Sequence, residues 1–484
     1  MSHRQTIGIP ACRRSNLRGL AGFLVLASLT SSSVHAATVP FSISSGLFNY
    51  ADTLAEGLSA APGRETITVF APSASTDHYS NGVVVIGWKG NLYCQWQSSA
   101  TDEDSPDTWV AFSKSADAKT WSKPAAIAKA GTADYKTSGG WWVNGDTLVA
   151  FVNVWPSSLA SGGGYAYYST TTDGTTWSAL QHVKMSDGTD MAGIIEQDPH
   201  ALPDGRILCA AHFQPGLLVN PIYTDDSSGI RGWKKGKFTS LSTSSTSTQE
   251  MEPSWYRRAD GVAVMMFRDQ NSSFRKLAST SSDRGATWTT AVLTNFPDSR
   301  AKQSAGNLPD GTAFAVNNPD TAKRRMPLAV TLSKDGQTFT KSYYLRKGGS
   351  DLQAQRYTGQ SKGLGFSYPK SVVYGDYLYA GYSTNKEDVE ITRVPLTGIE
   401  LNASAVDGRT PAQTRSLPGA FARELVLVGT GFLVAEIRSL DGNLVGTATG
   451  TGSVSIGSAL PRGLYALRLR DSRGTSSGLV RKFE

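Results

Sequence analysis

One turn recurs along this chain, and it constrains the fold more than any other feature. Ser281-Ser282-Asp283-Arg284-Gly285-Ala286-Thr287-Trp288 is its fullest copy. Thr171-Thr172-Asp173-Gly174-Thr175-Thr176-Trp177 and Ser333-Lys334-Asp335-Gly336-Gln337-Thr338-Phe339 repeat it, and Ser115-Ala116-Asp117-Ala118-Lys119-Thr120-Trp121 is shorter by one residue and lacks the glycine. A worn copy, Thr224-Asp225-Asp226-Ser227-Ser228-Gly229, leads to Trp233. Each part has a physical role: the aspartate accepts backbone N–H bonds within its own turn, the glycine takes positive φ at little cost, and the aromatic ring packs beneath the hairpin. Successive aspartates, from Asp117 through Asp173, Asp226 and Asp283 to Asp335, are 56, 53, 57 and 52 residues apart. A period near fifty with several short strands in each period predicts an all-β chain folded as a β-propeller, one blade per repeat. Six repeats can be counted, and a seventh blade built from both ends of the region stays open. The alternating stretch Glu65–Phe70 is expected to be the N-terminal strand that completes the last blade.

The turn resembles the Asp-box, or bacterial neuraminidase repeat, of the sialidase superfamily, over roughly residues 70 to 398. That resemblance implies the fold and leaves the substrate open, because one fold hosts many sites.

Composition and the two ends set the context. With 18% charged residues, 10% aromatics and 49 glycines, the chain suits a secreted, turn-rich β protein. Residues 1–36 read as an export signal: Arg4, Arg13, Arg14 and Arg18 precede the apolar run Leu20 to Leu29, and Val34-His35-Ala36 offers a cleavage site. The Arg13-Arg14 pair resembles a twin-arginine signal, with Asn16 where an aromatic is usual. The apolar run is too short for a membrane-spanning segment. Removing the signal takes away four arginines and no acids, so the formal charge falls from +7 to +3 and a nucleic-acid partner loses its support. A secreted, periplasmic or cell-surface monomer is expected. Cys94 and Cys209 lie in apolar strand contexts and read as two buried thiols. Residues 37–398 form the predicted propeller, 399–413 a linker, and 414–484 a small β-sandwich-like domain. The Asp441-Gly442-Asn443 turn, Leu460–Tyr465 and the basic end of this domain resemble the sorting domains of type IX secretion; a sandwich that merely follows the propeller is the other reading.

In a propeller, residues just before the first strand and just after the second strand of each blade converge near the axis. Before strand one they are His78, Glu196 with His200, Glu252, Gln303 and Tyr368; after strand two they are Gln97, His212, Arg268, Asn317 and Tyr382. Polar and aromatic residues thus gather in a register where a packed core would hold aliphatics, which points to a binding or catalytic mouth on the channel.

Sialidases hold a substrate carboxylate with three arginines and use a Tyr–Glu nucleophile pair and an acid aspartate. Glu252 in Glu252-Pro253-Ser254, followed by Arg268, is similar to the stretch that supplies the glutamate and one arginine, and Tyr382-Ser383 to the tyrosine position. His78-Tyr79-Ser80-Asn81-Gly82 stands where the first arginine is usual, and Asn317-Asn318-Pro319 where the third is. With Tyr93–Ser99 and Asp102–Thr108, these segments resemble propeller enzymes that act on L-rhamnose-α-1,4-D-glucuronate caps, some lyases and some α-L-rhamnosidases. That resemblance implies an enzyme, glycosidase or polysaccharide lyase, acting on an oligo- or polysaccharide, with His78 as main catalytic residue, helped by Tyr382 and Glu252. Substrate binding would fall to Arg268, Gln97, His212, His200, Asn317, Gln303 and Tyr368, with Trp141, Trp142 and Trp155 stacking on sugar rings or packing between blades. An exo-α-sialidase with an altered arginine triad and a non-catalytic glycan-binding propeller are the alternatives. No cofactor is expected. The acidic loop Asp102, Glu103, Asp104 and Asp107 has calcium-type ligands but reads as solvated, and no Cys/His zinc spacing occurs.

Overall fold

The computed structural model describes residues 39–159, 162–402, 420–421, 425–439, 443–471 and 474–482. The predicted export signal and most of the predicted linker lie outside the described residues.

The Asp-box turns form as their composition dictates. Asp117 Oδ1 accepts the backbone N–H groups of Thr120 at 2.7 Å and Lys119 at 2.8 Å, and Asp173 Oδ1 accepts those of Thr176 and Thr175, both at 2.7 Å. These bonds hold both carboxyls far below the usual carboxylate range. Even the worn copy behaves alike: Asp226 Oδ1 accepts from Ser228 N, and the Trp233 indole donates to Gly229 O at 2.8 Å. In the copy without glycine, Ala118 takes the left-handed conformation itself, at φ 62°.

Between these turns the chain builds six blades. Blade one is Tyr79–Trp88, Asn91–Ser99, Trp109–Ser115 and Ala125–Ala128. Its fourth strand starts beyond Trp121, which instead packs under the turn as expected of the aromatic position. Blade two runs from Asp134–Asn144 to Gln181–His182, blade four from Glu250–Arg257 to Val292–Pro297, and blade five from Ser304–Asn307 to Lys341–Arg346. Blade three has a broken inner strand, Gly193–Ile195 and then His200–Ala201. Blade six takes three strands from Phe366–Tyr374, Tyr377–Thr384 and Asp388–Pro395, and its outer strand from Glu65–Phe70. The N-terminal strand therefore closes the ring, and no seventh sheet of this kind stands among the described residues.

The core follows the same logic. Antiparallel strands present alternate residues to the two faces of each blade, so burial occurs between neighbouring blades. Six apolar clusters result, one at each junction; Val83, Val85 and Trp96 of blade one meet Tyr379, Val389 and Ile391 of blade six at the closure. Cys94 and Cys209 are free and buried in such junctions, where burial pushes the Cys209 thiol up to about 12. The C-terminal unit is one five-stranded sheet with Gly463–Asp471 at its centre, built on Ala435, Ile437, Leu467 and Leu469. No helix of the described residues is long and apolar enough to cross a membrane.

Candidate functional site

Five of the six innermost strands share an irregularity near their starts. Their pairing with the second strand shifts register between Asn81 and Val84 in blade one, Ser138 and Gly140 in blade two, Met251 and Ser254 in blade four, and Ser367 and Lys370 in blade six. In blade three the strand breaks at the same level. At each irregularity one residue is left-handed: Gly82 at φ 60°, Gly140 at 94°, Gln197 at 62°, Glu252 at 51° and Tyr368 at 55°. Bulges re-aim side chains, and left-handed backbone on residues with side chains concentrates at functional sites. The two glycines are required by space as well, since a Cβ on Gly140 would stand 2.9 Å from the Gln197 backbone and one on Gly82 would meet Ser138 and Gln197.

The side chains so aimed line one polar cavity of about 230 Å³. Gln97, His212, Glu252 and Tyr368, all predicted from sequence, line it, together with Glu196, Lys302 and Asp104. Arg268 reaches this group from the second strand of blade four. Its Nη1 donates to Glu252 Oε2 at 3.1 Å and to the Tyr368 hydroxyl at 3.5 Å. Burial opposes ionisation of Glu252, but the charges of Arg268 and then Lys302 outweigh it and hold this carboxyl below its usual range. Tyr368 is ringed by cations, with Arg325, Lys302 and Lys386 at 4.6, 5.3 and 5.4 Å from its ring centre.

A buried network supports Glu252 from behind. Its backbone N–H donates to His212 Nε2 at 3.3 Å, so the ring proton sits on Nδ1, 2.9 Å from Glu196 Oε1. Glu196 Oε2 lies 3.0 Å from Lys302 Nζ. Gln303 is fully buried and holds the site without touching the cavity: its amide donates to Glu252 O at 2.8 Å and Met266 O at 3.0 Å.

Asp104 is a cavity-lining carboxyl that the sequence reading did not single out. Its neighbour Glu103 is committed, accepting from Tyr79, Asn81 and Lys386. Asp104, at φ 56°, keeps contact with solvent and faces the cavity. The protein packed around its carboxyl, and then the charge of Glu103, push its pKa up to about 6. The acidic loop between the second and third strands of blade one was the available signal. Glu103 is bound to Lys386, and the loop's Asp107 caps Ala100 N.

Besides Gln303, four predicted site residues stand away from this cavity. Tyr382 is fully buried between blades five and six; its hydroxyl accepts from Arg346 at 2.8 Å and bonds Thr392, and it does not line the cavity. It sits in the second strand, where alternation turns its side chain onto the blade face, whereas Tyr368 sits in the bulge of the inner strand. His78 precedes the bulge of blade one by four residues. It lies outside the cavity, its Nε2 on Ser73 O and its ring stacked 3.8 Å from that of Tyr357. His200 stacks on Trp255 at 3.9 Å and lines a different cavity, with Trp141 and Trp142. Asn317 is buried and donates to Pro297 O. Eight residues beyond Asn317, Arg325 donates to the Ser367 hydroxyl and stacks on Tyr368. Of the three tryptophans, Trp155 lines the polar cavity, beside Tyr135.

Comparison with known proteins agrees with this fold. The family model described as BNR repeat-like domain matches residues 90–380. A search of curated proteins returns no match. Among solved structures, the chain is similar to Trypanosoma rangeli sialidase in complex with sialic acid, at 13% identity and TM-score 0.52, over 87% of this chain and 89% of that one. It is similar to a Dyadobacter fermentans protein of unknown function at 15% identity and TM-score 0.52, over 69% and 98%. A protein named sialidase gives 16% identity and TM-score 0.51 over 87% of this chain, which spans 46% of that protein. At these identities the likeness speaks for the fold.

Proposed function

Because the chain belongs to the BNR repeat-like domain family, we propose that it is a glycosidase that removes a terminal sugar from an acidic glycan end. The observation that carries this reading is that Glu252 and the Tyr368 hydroxyl meet on one Arg268 nitrogen, at 3.1 and 3.5 Å, at a cavity whose wall includes Asp104. Glu252, held ionised, takes the phenol proton of Tyr368, and the phenolate oxygen attacks the anomeric carbon. Asp104, with its raised pKa, gives its proton to the departing oxygen. Water then cleaves the glycosyl–tyrosine bond, with Asp104 taking a proton from it, Glu252 returning the phenol proton to the departing Tyr368 oxygen, and the anomeric configuration retained. Arg268 and Arg325 grip the carboxylate and stabilise charge near the reacting carbon.

A uronate-bearing end of the L-rhamnose-α-1,4-D-glucuronate type is the substrate favoured by the sequence resemblance, and a sialylated end is the alternative. A histidine-driven lyase is less well supported. His78 stands outside the cavity, and both nitrogens of His212 are occupied, one by Glu252 N–H and one by Glu196. An exported protein, as residues 1–36 suggest, would meet such glycans outside the cell.

The test is release of sugar from gum arabic and from sialyllactose by the mature protein, beside Tyr368→Phe. Rhamnose or sialic acid release that Tyr368→Phe abolishes supports the reading and names the end. Near-ultraviolet absorbance of an unsaturated uronate would establish a lyase instead. Glycan binding without any release would make the propeller a lectin.

A further inference from the structure

A second cavity is lined by Arg268, which bonds Glu252 and Tyr368 of the first, and it carries more positive charge than one carboxylate requires. About 290 Å³ in volume, it is lined by Arg268, Arg300, Lys323, Arg325 and Lys362, with no carboxylate in its wall. Two of these charges have acidic partners: Arg268 has Glu252 at 3.1 Å, and Lys362 has Glu387 at 3.6 Å. The other arginines are bound to neutral acceptors. Arg300 donates to the backbone and side-chain oxygens of Gln270, and Arg325 to the Ser367 hydroxyl.

The decisive contact is Gln270 Oε1. It accepts from Arg268 Nη2 at 3.0 Å and from Arg300 Nη2 at 3.2 Å, so one neutral oxygen holds two guanidinium groups side by side. Neither arginine's Nε has a protein acceptor, nor does the buried Ser299 hydroxyl. Arg300 is moreover held at φ 56°, a left-handed backbone that a side-chain-bearing residue rarely takes. Like charges at this separation repel, and an amide oxygen offsets little of that repulsion. A strained arginine, paired with another arginine through a neutral atom at the edge of a cavity, is the arrangement expected where an oxyanion completes the site.

We propose that this cavity binds a second oxyanion of the substrate, a sulfate ester or a second uronate, beside the carboxylate gripped by Arg268 and Arg325. The inference rests on the acidic-glycan reading above and narrows it: the preferred chain end is dianionic. One carboxylate is satisfied by a bidentate arginine. Arg300 and Lys323 are surplus to it, and a second oxyanion is what they are placed to receive.

Calorimetric titration of the mature protein separates the two ideas. The ligands are an unsaturated uronate–hexosamine disaccharide with and without a sulfate, and digalacturonate with and without one methyl ester. The dianion of a pair binds about tenfold more tightly or better than its monoanion. Arg300→Met, and separately the exposed Lys323→Ala, draw that ratio toward one, Arg300→Met the further; thermal melts check that each variant is folded. A gain confined to the sulfated pair names the ester as the second anion, and a gain confined to digalacturonate names the uronate. Equal affinities within both pairs, or a gain that survives both substitutions, overturn the second-anion site and leave the carboxylate reading standing. Failure of all four ligands to bind overturns both.

Discussion

The same inner strands line two cavities on the channel, and the two could hardly differ more. Near the strand starts the wall is Gln97, Glu196, His212, Glu252, Lys302 and Tyr368. Further along the same strands it is mostly apolar, with Val84–Ile86, Trp141–Val143, Phe314 and Val372–Val373, and Asp198, His200, Asn307 and Ser371 among its polar residues. What separates them is backbone geometry. At the polar level the ladder is broken by bulges and left-handed residues, and side chains that regular alternation would have sent between the blades are turned toward the axis. At the apolar level pairing is regular and the residues do what alternation dictates, packing blade on blade. Polar side chains on the axis of this propeller gather where the sheet is irregular.

That contrast can be broken, and the largest effect should come from two tyrosines. Tyr368→Phe at the bulge is expected to lower kcat by about 10³-fold or more. Tyr382→Phe, in regular strand, should leave the folded enzyme active while costing about 1–3 kcal/mol in chemical denaturation, because Arg346 loses a buried partner. Activity lost in Tyr382→Phe and kept in Tyr368→Phe would reverse the assignment.

Asp104 comes next. Its carboxyl is protonated below about 6 and ionised above, so activity that needs its proton falls as pH rises through that value. Asp104→Asn should lower kcat/KM by about 10²-fold or more on natural glycans. It should also erase the alkaline limb of the pH profile, and should do less to a substrate whose leaving group needs no proton. Arg325→Met should then lower kcat/KM by about ten- to a hundredfold on acidic glycans, with a methyl-esterified substrate affected less. The contrast sharpens further at the apolar cavity: Trp141→Ala is expected to cost about 3–5 kcal/mol of stability, measured by denaturant, with little change in kcat/KM of the folded protein. The smallest effect belongs to His78→Ala, about fivefold or less in kcat/KM, since the ring only stacks on Tyr357 and bonds Ser73.

Six repeats, their order, the closing strand at Glu65–Phe70 and the turn aspartates were legible in the chain, because each rests on local rules: an aspartate in its own turn, alternation within a strand, a repeat that cannot bury its faces alone; that no seventh blade is added is seen only in the sheet pairing of the described residues. Glu252, Arg268, Gln97, His212 and Tyr368 were legible as converging polar positions for the same reason. Tertiary structure decided what local rules do not reach. Only the bulges determine that Tyr368 and not Tyr382 meets Arg268, since a slip of one residue turns a strand's side chains to the other face. Only packing across blades makes Glu103 a partner of Lys386 and leaves the neighbouring Asp104 carboxyl with a raised pKa. The fold brings Arg325 to the Tyr368 ring from blade five and draws His78 away to Tyr357. Repetition along the chain is enough to build the ring; which side chains meet at its axis depends on distances between residues a hundred or more positions apart, such as the 100 that separate Arg268 from Tyr368.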